Sequence, residues 1–175
     1  QEAEAARAAE GLGPVLLVRG GATRTGSVRA GLDALAEASP ELVLIHDAAR
    51  PLLASAVLDR LRAALQAADA AAPALAVADT LKSAEAGRVL GTAPRDGLWR
   101  VQTPQAFRFD RLIAAYAALG PGEAPTDDLA LLEGSGAVVR LTPGDPLLHK
   151  FTTPEDLVML ERLAGAARTG RVGQG

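Results

Sequence analysis

The chain has 175 residues, of which 49% are hydrophobic and 22% charged, and its formal net charge at pH 7 is −3. This composition suits one globular domain with a buried core and excludes a disordered or fibrous chain. A small negative charge argues against broad nucleic-acid binding, and the lack of cysteine excludes disulfides and thiolate chemistry. Because there is no signal peptide and no apolar run near the ~20 residues of a membrane span, we expect a cytoplasmic protein that binds neither membrane nor nucleic acid.

Helices and strands alternate in the predicted first half of the chain. The apolar pattern predicts a helix over residues 2–10, a strand over 14–18, a helix capped by Ser27, a strand over 42–46, a helix over 55–68 and a strand over 73–78. The residues expected to face the core from the second and third helices are Val28, Leu32, Leu35, Leu58, Leu61 and Leu65.

The strand over residues 42–46 is the most informative element. Its unbroken apolar run is typical of a strand that is buried on both faces. Asp47 and Arg50 follow directly, at the carboxyl end of a strand, where open α/β sheets bind ligands. Aspartate can hold a cation and arginine can bind phosphate oxygens, so the pair is consistent with a phosphate site. A surface salt bridge or a helix cap explains the same pair without a ligand.

The second half contains an irregular stretch followed by regular elements. Residues 79–100 mix polar residues, glycine and short apolar pairs, which favours an extended arm or hairpin. The predicted elements after it are a helix over 109–119, a short helix starting at Thr126-Asp127-Asp128, a strand over 137–141 and a helix starting at Thr153. Alternating strands and helices predict a mainly parallel sheet flanked by helices.

We expect one domain over residues 1–164, with an arm at about 79–102 and a flexible tail over 165–175. The chain begins at Gln1 and its single methionine is Met159. We therefore expect either a fragment or a sequence whose N-terminal part is missing.

Seven motifs occur in an order that is specific to one family. They are Gly20-Gly21-Ala22-Thr23-Arg24-Thr25-Gly26-Ser27, His46-Asp47-Ala48-Ala49-Arg50-Pro51, Asp79-Thr80-Leu81-Lys82, Arg95-Asp96-Gly97-Leu98-Trp99, Gln102-Thr103-Pro104-Gln105, Thr126-Asp127-Asp128 and Lys150-Phe151-Thr152-Thr153-Pro154-Glu155-Asp156. Across residues 15–164 the chain resembles the 2-C-methyl-D-erythritol 4-phosphate cytidylyltransferases of the non-mevalonate isoprenoid pathway.

The resemblance implies a reaction and a fold. The phosphate of methylerythritol phosphate would attack the α-phosphorus of CTP, giving 4-diphosphocytidyl-2-C-methyl-D-erythritol and pyrophosphate with the help of Mg²⁺. The fold would be a Rossmann-like nucleotidyltransferase with a protruding arm that reaches across a homodimer. A truncated, non-catalytic nucleotide-binding or dimerisation module and a nucleotidyltransferase for another sugar or alcohol phosphate remain open as alternatives.

The resemblance also assigns roles to individual residues. Those matching nucleotide-binding positions are Gly20, Gly21, Ser27, Asp47 and Arg50. Those matching substrate-binding positions are Thr80, Arg95, Thr103 and Lys150. Arg95 and Lys150 are also the expected catalytic cations, with Arg95 serving the partner subunit's site. Asp47 matches the magnesium ligand, and Asp145 is the candidate for a second one. Without the resemblance, each charged residue in this set could equally be a solvated surface group.

The chain departs from the family pattern in two places. Members of the family begin with a Gly-rich loop that carries an arginine and a lysine and binds the triphosphate, and the sequence as given lacks it. The family also has an asparagine two residues before the lysine, often preceded by a carboxylate, where this chain has Leu148 and Leu147. The second departure is the reason for considering Asp145 instead.

Overall fold

The computed structural model describes residues 2–120, 122–123 and 125–168. Its helices are α1 (Glu2–Ala9), α2 (Arg24–Ala34), α3 (Ser55–Ala64), α4 (Phe109–Ala118) and α5 (Pro154–Arg168), with a 3-10 turn at Leu129–Leu131. Its strands are β1 (Leu42–Ile45), β2 (Ala70–Ala76), β3 (Leu81–Glu85), β4 (Arg88–Ala93), β5 (Trp99–Val101), β6 (Gln105–Arg108) and β7 (Val139–Pro143). Within these described ranges, no helix is long and apolar enough to cross a membrane.

Five of the strands form one mixed sheet around β2. Strand β7 pairs with β2 in parallel, and β5 and β6 pair with it antiparallel. Because β6 pairs with the first half of β2 and β5 with the second, they lie end to end along one edge. Strand β1 pairs antiparallel with β6. Strands β1, β2 and β7 therefore share one direction, while β5 and β6 oppose it.

The core is built from small and aliphatic side chains around one aromatic ring. Phe107 of β6 is fully buried and packs with Leu32 of α2, Leu112 of α4 and the small residue Ala70 of β2. On the other side of the sheet, Val57 and Leu61 of α3 pack with Ala71, Ala106 and Leu148. The alanines of β2 bring the helices close to the sheet, which suits a chain with only 3% aromatic residues.

Two helix starts are fixed by side-chain caps. Helix α2 is capped by Thr23, whose Oγ1 accepts from the Gly26 N–H at 3.0 Å. Helix α5 begins with a reciprocal pair: Thr153 Oγ1 accepts from the Asp156 N–H, and Asp156 Oδ2 accepts from Thr152 N–H and Thr153 N–H. The predicted start of α5 is thus confirmed. The predicted Ser27 cap is wrong, because Ser27 already lies in the first turn and donates to Thr23 O at 2.9 Å.

The irregular stretch is a two-stranded hairpin. Strands β3 and β4 pair antiparallel with a register shift at Ser83/Ala84, and the turn between them places Ala86 and Gly87 at positive φ. Val89 and Leu90 on β4 are more than half exposed. Residues 99–101 belong to the central sheet as β5, so the predicted arm of residues 79–102 was too long.

The fold class was predicted correctly as α/β, and several details of the prediction were wrong. Residues Val15–Val18 form no strand and are exposed, since no neighbouring strand pairs with them among the described residues. In β1 only Val43 is buried, and Leu44 remains 44% exposed. Leu58 of α3 is 38% exposed rather than inward, because Val57 and Leu61 take the core-facing positions.

A further detail is the direction of the strands. We predicted a mainly parallel sheet, and the parallel set is present as β1, β2 and β7. The two antiparallel strands come from residues that were assigned to the arm or to no element. Helix α3 also ends at Ala64 rather than 68, and β2 begins at Ala70 rather than 73. Helix α5 continues to Arg168, into the predicted tail, of which residues 169–175 lie outside the described residues.

Candidate active site

Three segments meet at one edge of the central sheet. Strands β1 and β7 run in the same direction, so the residues after their carboxyl ends, Asp47 and the 144–150 loop, lie at the same edge. Strand β6 runs the opposite way, and its amino end brings Thr103 to that edge, following the pairing of Ile45 with Gln105. Residues that are far apart in sequence are therefore neighbours in space, as expected for a ligand site of an α/β sheet.

The carboxylate of Asp47 is shared by two cations. Lys150 Nζ lies 3.0 Å from Asp47 Oδ2, and Arg50 Nε lies 3.7 Å from the same oxygen. The side chain of Lys150 is half exposed, that of Asp47 is one-quarter exposed and that of Arg50 is mostly buried. Two positive charges thus surround one negative charge on a surface that solvent can reach. The cluster has a net positive charge, which favours an anionic ligand.

Arg50 is held from its far end. Its Nη1 donates to Leu148 O, and its backbone N–H donates to Asp47 O at 2.9 Å, closing a tight turn. Its Nε is buried and has no hydrogen-bond partner within the part of the chain that the structure describes. Burial lowers the pKa of Arg50, and the charge of Asp47 offsets part of that effect. A buried donor without a partner is costly, and an anion arriving at this corner could provide the missing acceptor.

The turn after β1 is fixed by its neighbours. The Asp47 N–H donates to Thr103 Oγ1 at 3.0 Å, and the Phe151 N–H donates to Ala49 O at 2.9 Å. The His46 ring contacts both Thr103 Oγ1 and Arg50 O at 3.0 Å. The backbone of this turn is therefore bonded to Thr103, just before β6, on one side and to the loop before α5 on the other.

Asp145 belongs to the loop that carries Lys150, and its carboxylate has a structural contact. Its Oδ1 accepts from the Leu147 N–H at 2.8 Å, while its backbone N–H and C=O bond the buried amide of Gln102 at 3.0 and 2.7 Å. Gly144 lies so close to β2 that a Cβ there would come within 2.8 Å of the Ala74 backbone. These contacts explain the path of the loop between β7 and Lys150.

The donor set bears on whether Mg²⁺ fits this corner. In the part of the chain that the structure describes, no three His, Asp or Glu side chains form a group that could hold a metal ion. Mg²⁺ commonly needs only one or two protein carboxylates when substrate phosphates and waters supply the other oxygens. Asp47 at the positively charged corner fits that second arrangement, and it does not fit a site built by protein side chains alone.

Gly20, Gly21 and Ser27 lie together at the start of α2. A Cβ on Gly20 would come within 2.8 Å of Ser27 Oγ, and one on Gly21 would come within 2.8 Å of the Gly26 backbone. Gly21 is thus required for the close approach of this segment to the helix, because its Cβ would meet backbone atoms. All three residues are exposed. The structure therefore brings these three predicted residues together as one surface.

A buried network behind this surface was missed from the sequence. Asp128 is fully buried: its Oδ2 accepts from Arg24 Nη2 at 2.5 Å and its Oδ1 from the Tyr116 hydroxyl at 2.6 Å. Gln105 accepts from the Asp128 N–H and donates to Asp127 Oδ2. The network links the start of α2 to β6, two residues after Thr103. The motif Thr126-Asp127-Asp128 was a signal for it, although it was interpreted only as a helix start.

Charge explains why Arg24 is held firmly. Burial alone would lower the pKa of Arg24, but the hydrogen bond and charge of Asp128 outweigh it, so the pKa is raised. The charge of Asp47 also raises the pKa of Arg24, so Arg24 is electrostatically coupled to the corner described above. Burial, followed by the hydrogen bond to Asp128, raises the pKa of Tyr116, so this hydroxyl remains a donor.

Thr80 and Arg95 make no contact with this corner among the described residues. Both are exposed, on either side of the hairpin, and Arg95 Nη1 donates to Ala78 O. Among the described contacts, neither residue touches Asp47 or Lys150. Within one chain, the structure thus brings together Asp47, Arg50, Thr103 and Lys150, and it leaves Thr80 and Arg95 apart from them.

Comparison with known proteins now adds to this geometry. The family model of the 2-C-methyl-D-erythritol 4-phosphate cytidylyltransferases (IspD) matches residues 1–165.

The chain belongs to this family. A bifunctional enzyme IspD/IspF of Caulobacter vibrioides (strain NA1000 / CB15N) is 55% identical over 175 residues, covering 99% of this chain and 46% of the relative. A 2-C-methyl-D-erythritol 4-phosphate cytidylyltransferase of Cereibacter sphaeroides (strain KD131 / KCTC 12085) is 48% identical, covering 89% of this chain and 68% of the relative. The chain thus spans about half the length of its bifunctional relatives.

Solved structures of the IspD family share the fold. The cytidylyltransferase from Thermus thermophilus superposes with a TM-score of 0.80 at 42% identity, covering 89% of this chain and 75% of that one. The 4-diphosphocytidyl-2C-methyl-D-erythritol synthase from Anaerococcus prevotii gives 0.82 at 31% identity, covering 94% and 77%. The resemblance recognised from the motifs and the predicted nucleotidyltransferase fold are both confirmed.

Proposed function

We propose that the protein containing this chain is a cytidylyltransferase. It joins CTP to 2-C-methyl-D-erythritol 4-phosphate, giving 4-diphosphocytidyl-2-C-methyl-D-erythritol and pyrophosphate for isoprenoid precursor biosynthesis. A phosphate oxygen of methylerythritol phosphate forms a bond to the α-phosphorus of CTP. The bond from that phosphorus to the bridging oxygen breaks, and its electron pair leaves with pyrophosphate. We place this reaction in the cytoplasm.

One observation carries the proposal: Lys150 and Arg50 both point at the single carboxylate of Asp47, at an edge of the sheet that solvent can reach. The reaction brings two polyanions together, so catalysis depends mainly on positioning them and neutralising their charge. The corner has excess positive charge, and the buried Arg50 Nε makes no hydrogen bond among the described residues, so the corner suits that requirement.

The remaining residues divide between the two substrates. We assign the surface of Gly20, Gly21 and Ser27 to the cytosine base, because these residues match the family's base-binding segment and lie together, exposed, at the start of α2. Lys150 neutralises phosphate charge at the point of attack. Its distance of 3.0 Å from Asp47 means that it is held near the corner before substrates bind.

Thr80 and Arg95 complete the proposed site from a second copy of the chain. Both are exposed on the hairpin side, and neither contacts the Asp47 corner of its own chain among the described residues. A homodimer in which the hairpin of one subunit reaches the other would bring Arg95 to the methylerythritol phosphate. The exposed Val89 and Leu90 offer apolar area for such an interface.

Asp47 is the residue proposed to hold Mg²⁺, together with phosphate oxygens of CTP. Bound there, the ion would supply positive charge to the triphosphate and help to fix its orientation. Asp145, proposed above as a second ligand, would have to reach the ion while its Oδ1 accepts from the Leu147 N–H.

The experiment is a direct assay of the purified protein with CTP, methylerythritol phosphate and Mg²⁺. We expect the CDP-alcohol and pyrophosphate to form in equal amounts, as measured by ³¹P NMR. Parallel reactions with other sugar and alcohol phosphates test the alternative specificity. Nucleotide binding without any product would support the non-catalytic module instead and would contradict the proposal.

A further inference from the structure

The His46 ring lies between two oxygen atoms of the candidate active site. Its Nε2 is 3.0 Å from the backbone oxygen of Arg50, and its Nδ1 is 3.0 Å from the hydroxyl of Thr103. The same hydroxyl is 3.0 Å from the backbone N–H of Asp47. Thr103 is 7% exposed, so its hydroxyl is largely shielded from competing water.

The chemistry of these groups determines which atom donates in each bond. A backbone oxygen can only accept, so Nε2 must carry the hydrogen that it donates to Arg50 O. In the neutral ring Nδ1 is then an acceptor, and the Thr103 hydroxyl must donate to it. The lone pairs of that hydroxyl remain available for the Asp47 N–H. The three bonds form one chain from Arg50 O through His46 and Thr103 to Asp47.

This chain of hydrogen bonds already uses the hydrogen of the Thr103 hydroxyl. The resemblance assigned Thr103 to the binding of methylerythritol phosphate, which would need that hydrogen for a phosphate oxygen. When the His46 ring is neutral, that hydrogen is already donated to His46 Nδ1, which lies 3.0 Å from the hydroxyl oxygen. Both ends of the chain instead lie on the turn from Asp47 to Arg50, whose backbone bond is 2.9 Å.

We propose that His46 and Thr103 are a pair of positioning residues that hold the Asp47–Arg50 turn in the conformation that binds CTP phosphates. Thr103 acts through Asp47 and not through direct contact with the second substrate. This proposal rests on the proposed function for its kinetic consequence, but the hydrogen-bond chain itself does not depend on the reaction.

The kinetic test compares Thr103→Val with the wild type. Valine has nearly the shape of threonine and removes both hydrogen bonds of the hydroxyl. We expect the KM for CTP to rise ~10-fold, the usual effect of losing about one such bond. The KM for methylerythritol phosphate should change less than about 2-fold. His46→Ala should show the same selectivity, and Thr103→Ser, which keeps a hydroxyl, should restore most of the affinity for CTP.

The matched control is Thr142→Val. Thr142 of β7 is also a buried threonine, and among the described residues its hydroxyl bonds only the Ala72 backbone oxygen, at 3.5 Å. Thr142→Val should leave both KM values unchanged. A selective rise in the KM for methylerythritol phosphate in Thr103→Val, an equal rise in both values, or no rise at all would overturn the proposal.

A second measurement does not depend on activity. In the full protein, ¹⁵N NMR of the imidazole rings identifies the His46 tautomer, because the signals that disappear in His46→Gln belong to that ring. We expect Nε2 protonated and Nδ1 unprotonated in the neutral ring, and protonated Nδ1 would overturn the hydrogen-bond chain. If the wild type makes no product but this tautomer is found, the proposed function is wrong and the proposed chain of hydrogen bonds is still supported.

Discussion

The Asp47 corner and the β3–β4 hairpin differ in how they are held. At the corner, Asp47 is bonded to the segment just before β6 and paired with Lys150, and its turn is bonded to the loop before α5. On the hairpin side, Thr80 and Arg95 are exposed, and Arg95 bonds only the nearby Ala78 O among its described contacts. The difference indicates that the corner is organised within one chain, and it agrees with the proposal that the hairpin residues act in the site of a second subunit.

The largest expected effect is a loss of activity, and it tests whether the corner and the hairpin of one active site come from different subunits. Lys150→Ala and Arg95→Ala should each reduce kcat/KM by ~10²–10³-fold, since each removes a cation that is proposed to face transition-state charge. If Arg95 serves the partner's site, mixing the two inactive variants produces heterodimers with one intact site. When equal amounts of the two variants exchange subunits at random, half of the dimers are heterodimers with one intact site of two. The mixture should therefore recover about a quarter of wild-type activity.

The control for this mixing experiment is Lys150→Ala mixed with a second preparation of itself, which should stay inactive. If the Lys150→Ala and Arg95→Ala mixture also remains inactive after subunit exchange is verified by mass spectrometry, Arg95 acts within its own chain. The proposed division between corner and hairpin would then be wrong.

The next effect concerns the buried network behind the corner. Asp128→Asn keeps the shape of the side chain but removes the charge that pairs with Arg24. Because Arg24 is 39% exposed and can turn toward water, we expect a loss of about 1.5–3 kcal/mol in the free energy of unfolding, the range for a hydrogen bond to a charged group. Urea unfolding measures it.

The exposed Asp110 offers a comparison on the first turn of α4. Asp110→Asn should change the free energy of unfolding by no more than about 0.5 kcal/mol. Equal effects of the two substitutions would mean that the Arg24–Asp128 pair contributes nothing beyond a surface charge.

Gly144 tests how closely the Lys150 loop must approach β2. An added Cβ would meet the Ala74 backbone at 2.8 Å and Gln102 Oε1 at 2.6 Å, so Gly144→Ala should cost about 1–3 kcal/mol. Gly91 of β4 has only Ser83 Oγ at 3.7 Å from such a Cβ, and Gly91→Ala should be tolerated. Thermal unfolding of both variants decides the point, and a stable Gly144→Ala protein would show that the loop is free to shift.

The smallest effect is a dependence of stability on pH. Backbone hydrogen bonds from Thr152 and Thr153 lower the pKa of Asp156 below its ordinary value of 3.8. Since the folded state favours the charged form, this stabilisation is present above the unfolded pKa and is lost as the pH falls through the folded pKa. Asp156→Asn should therefore lower Tm slightly at pH 7 and leave it unchanged at strongly acidic pH. An equal decrease at both values would contradict this.

The parts predicted well from the sequence are those that local patterns determine. The stripe of Val28, Leu32 and Leu35 and the Thr153-Pro154 start of α5 depend on residues within a few positions of one another. The motif order was also sufficient to recognise the family. In contrast, Val15–Val18 has the local pattern of a strand, but a strand also needs a partner to receive its backbone hydrogen bonds.

Long-range contacts account for what the sequence did not reveal. The first residues of β2 are Ala70, Ala71 and Ala72, and alanine has no preference for strands that could mark the start. Arg24 and Asp128 are 104 positions apart, so no spacing rule connects them. Asp47 and Lys150 were both predicted as site residues, yet their pairing at 3.0 Å depends on the direction of β1 and β7.

The most direct test of the central claim is calorimetric titration of CTP with and without Mg²⁺, using the wild type and Asp47→Asn. The account predicts that Mg²⁺ tightens CTP binding to the wild type and that Asp47→Asn loses at least ~10-fold of this gain, while its affinity for cytidine is unchanged. Without Mg²⁺, the variant should bind CTP at least as well, because Lys150 and Arg50 lose their counter-charge. An unchanged gain from Mg²⁺ in Asp47→Asn would contradict the account.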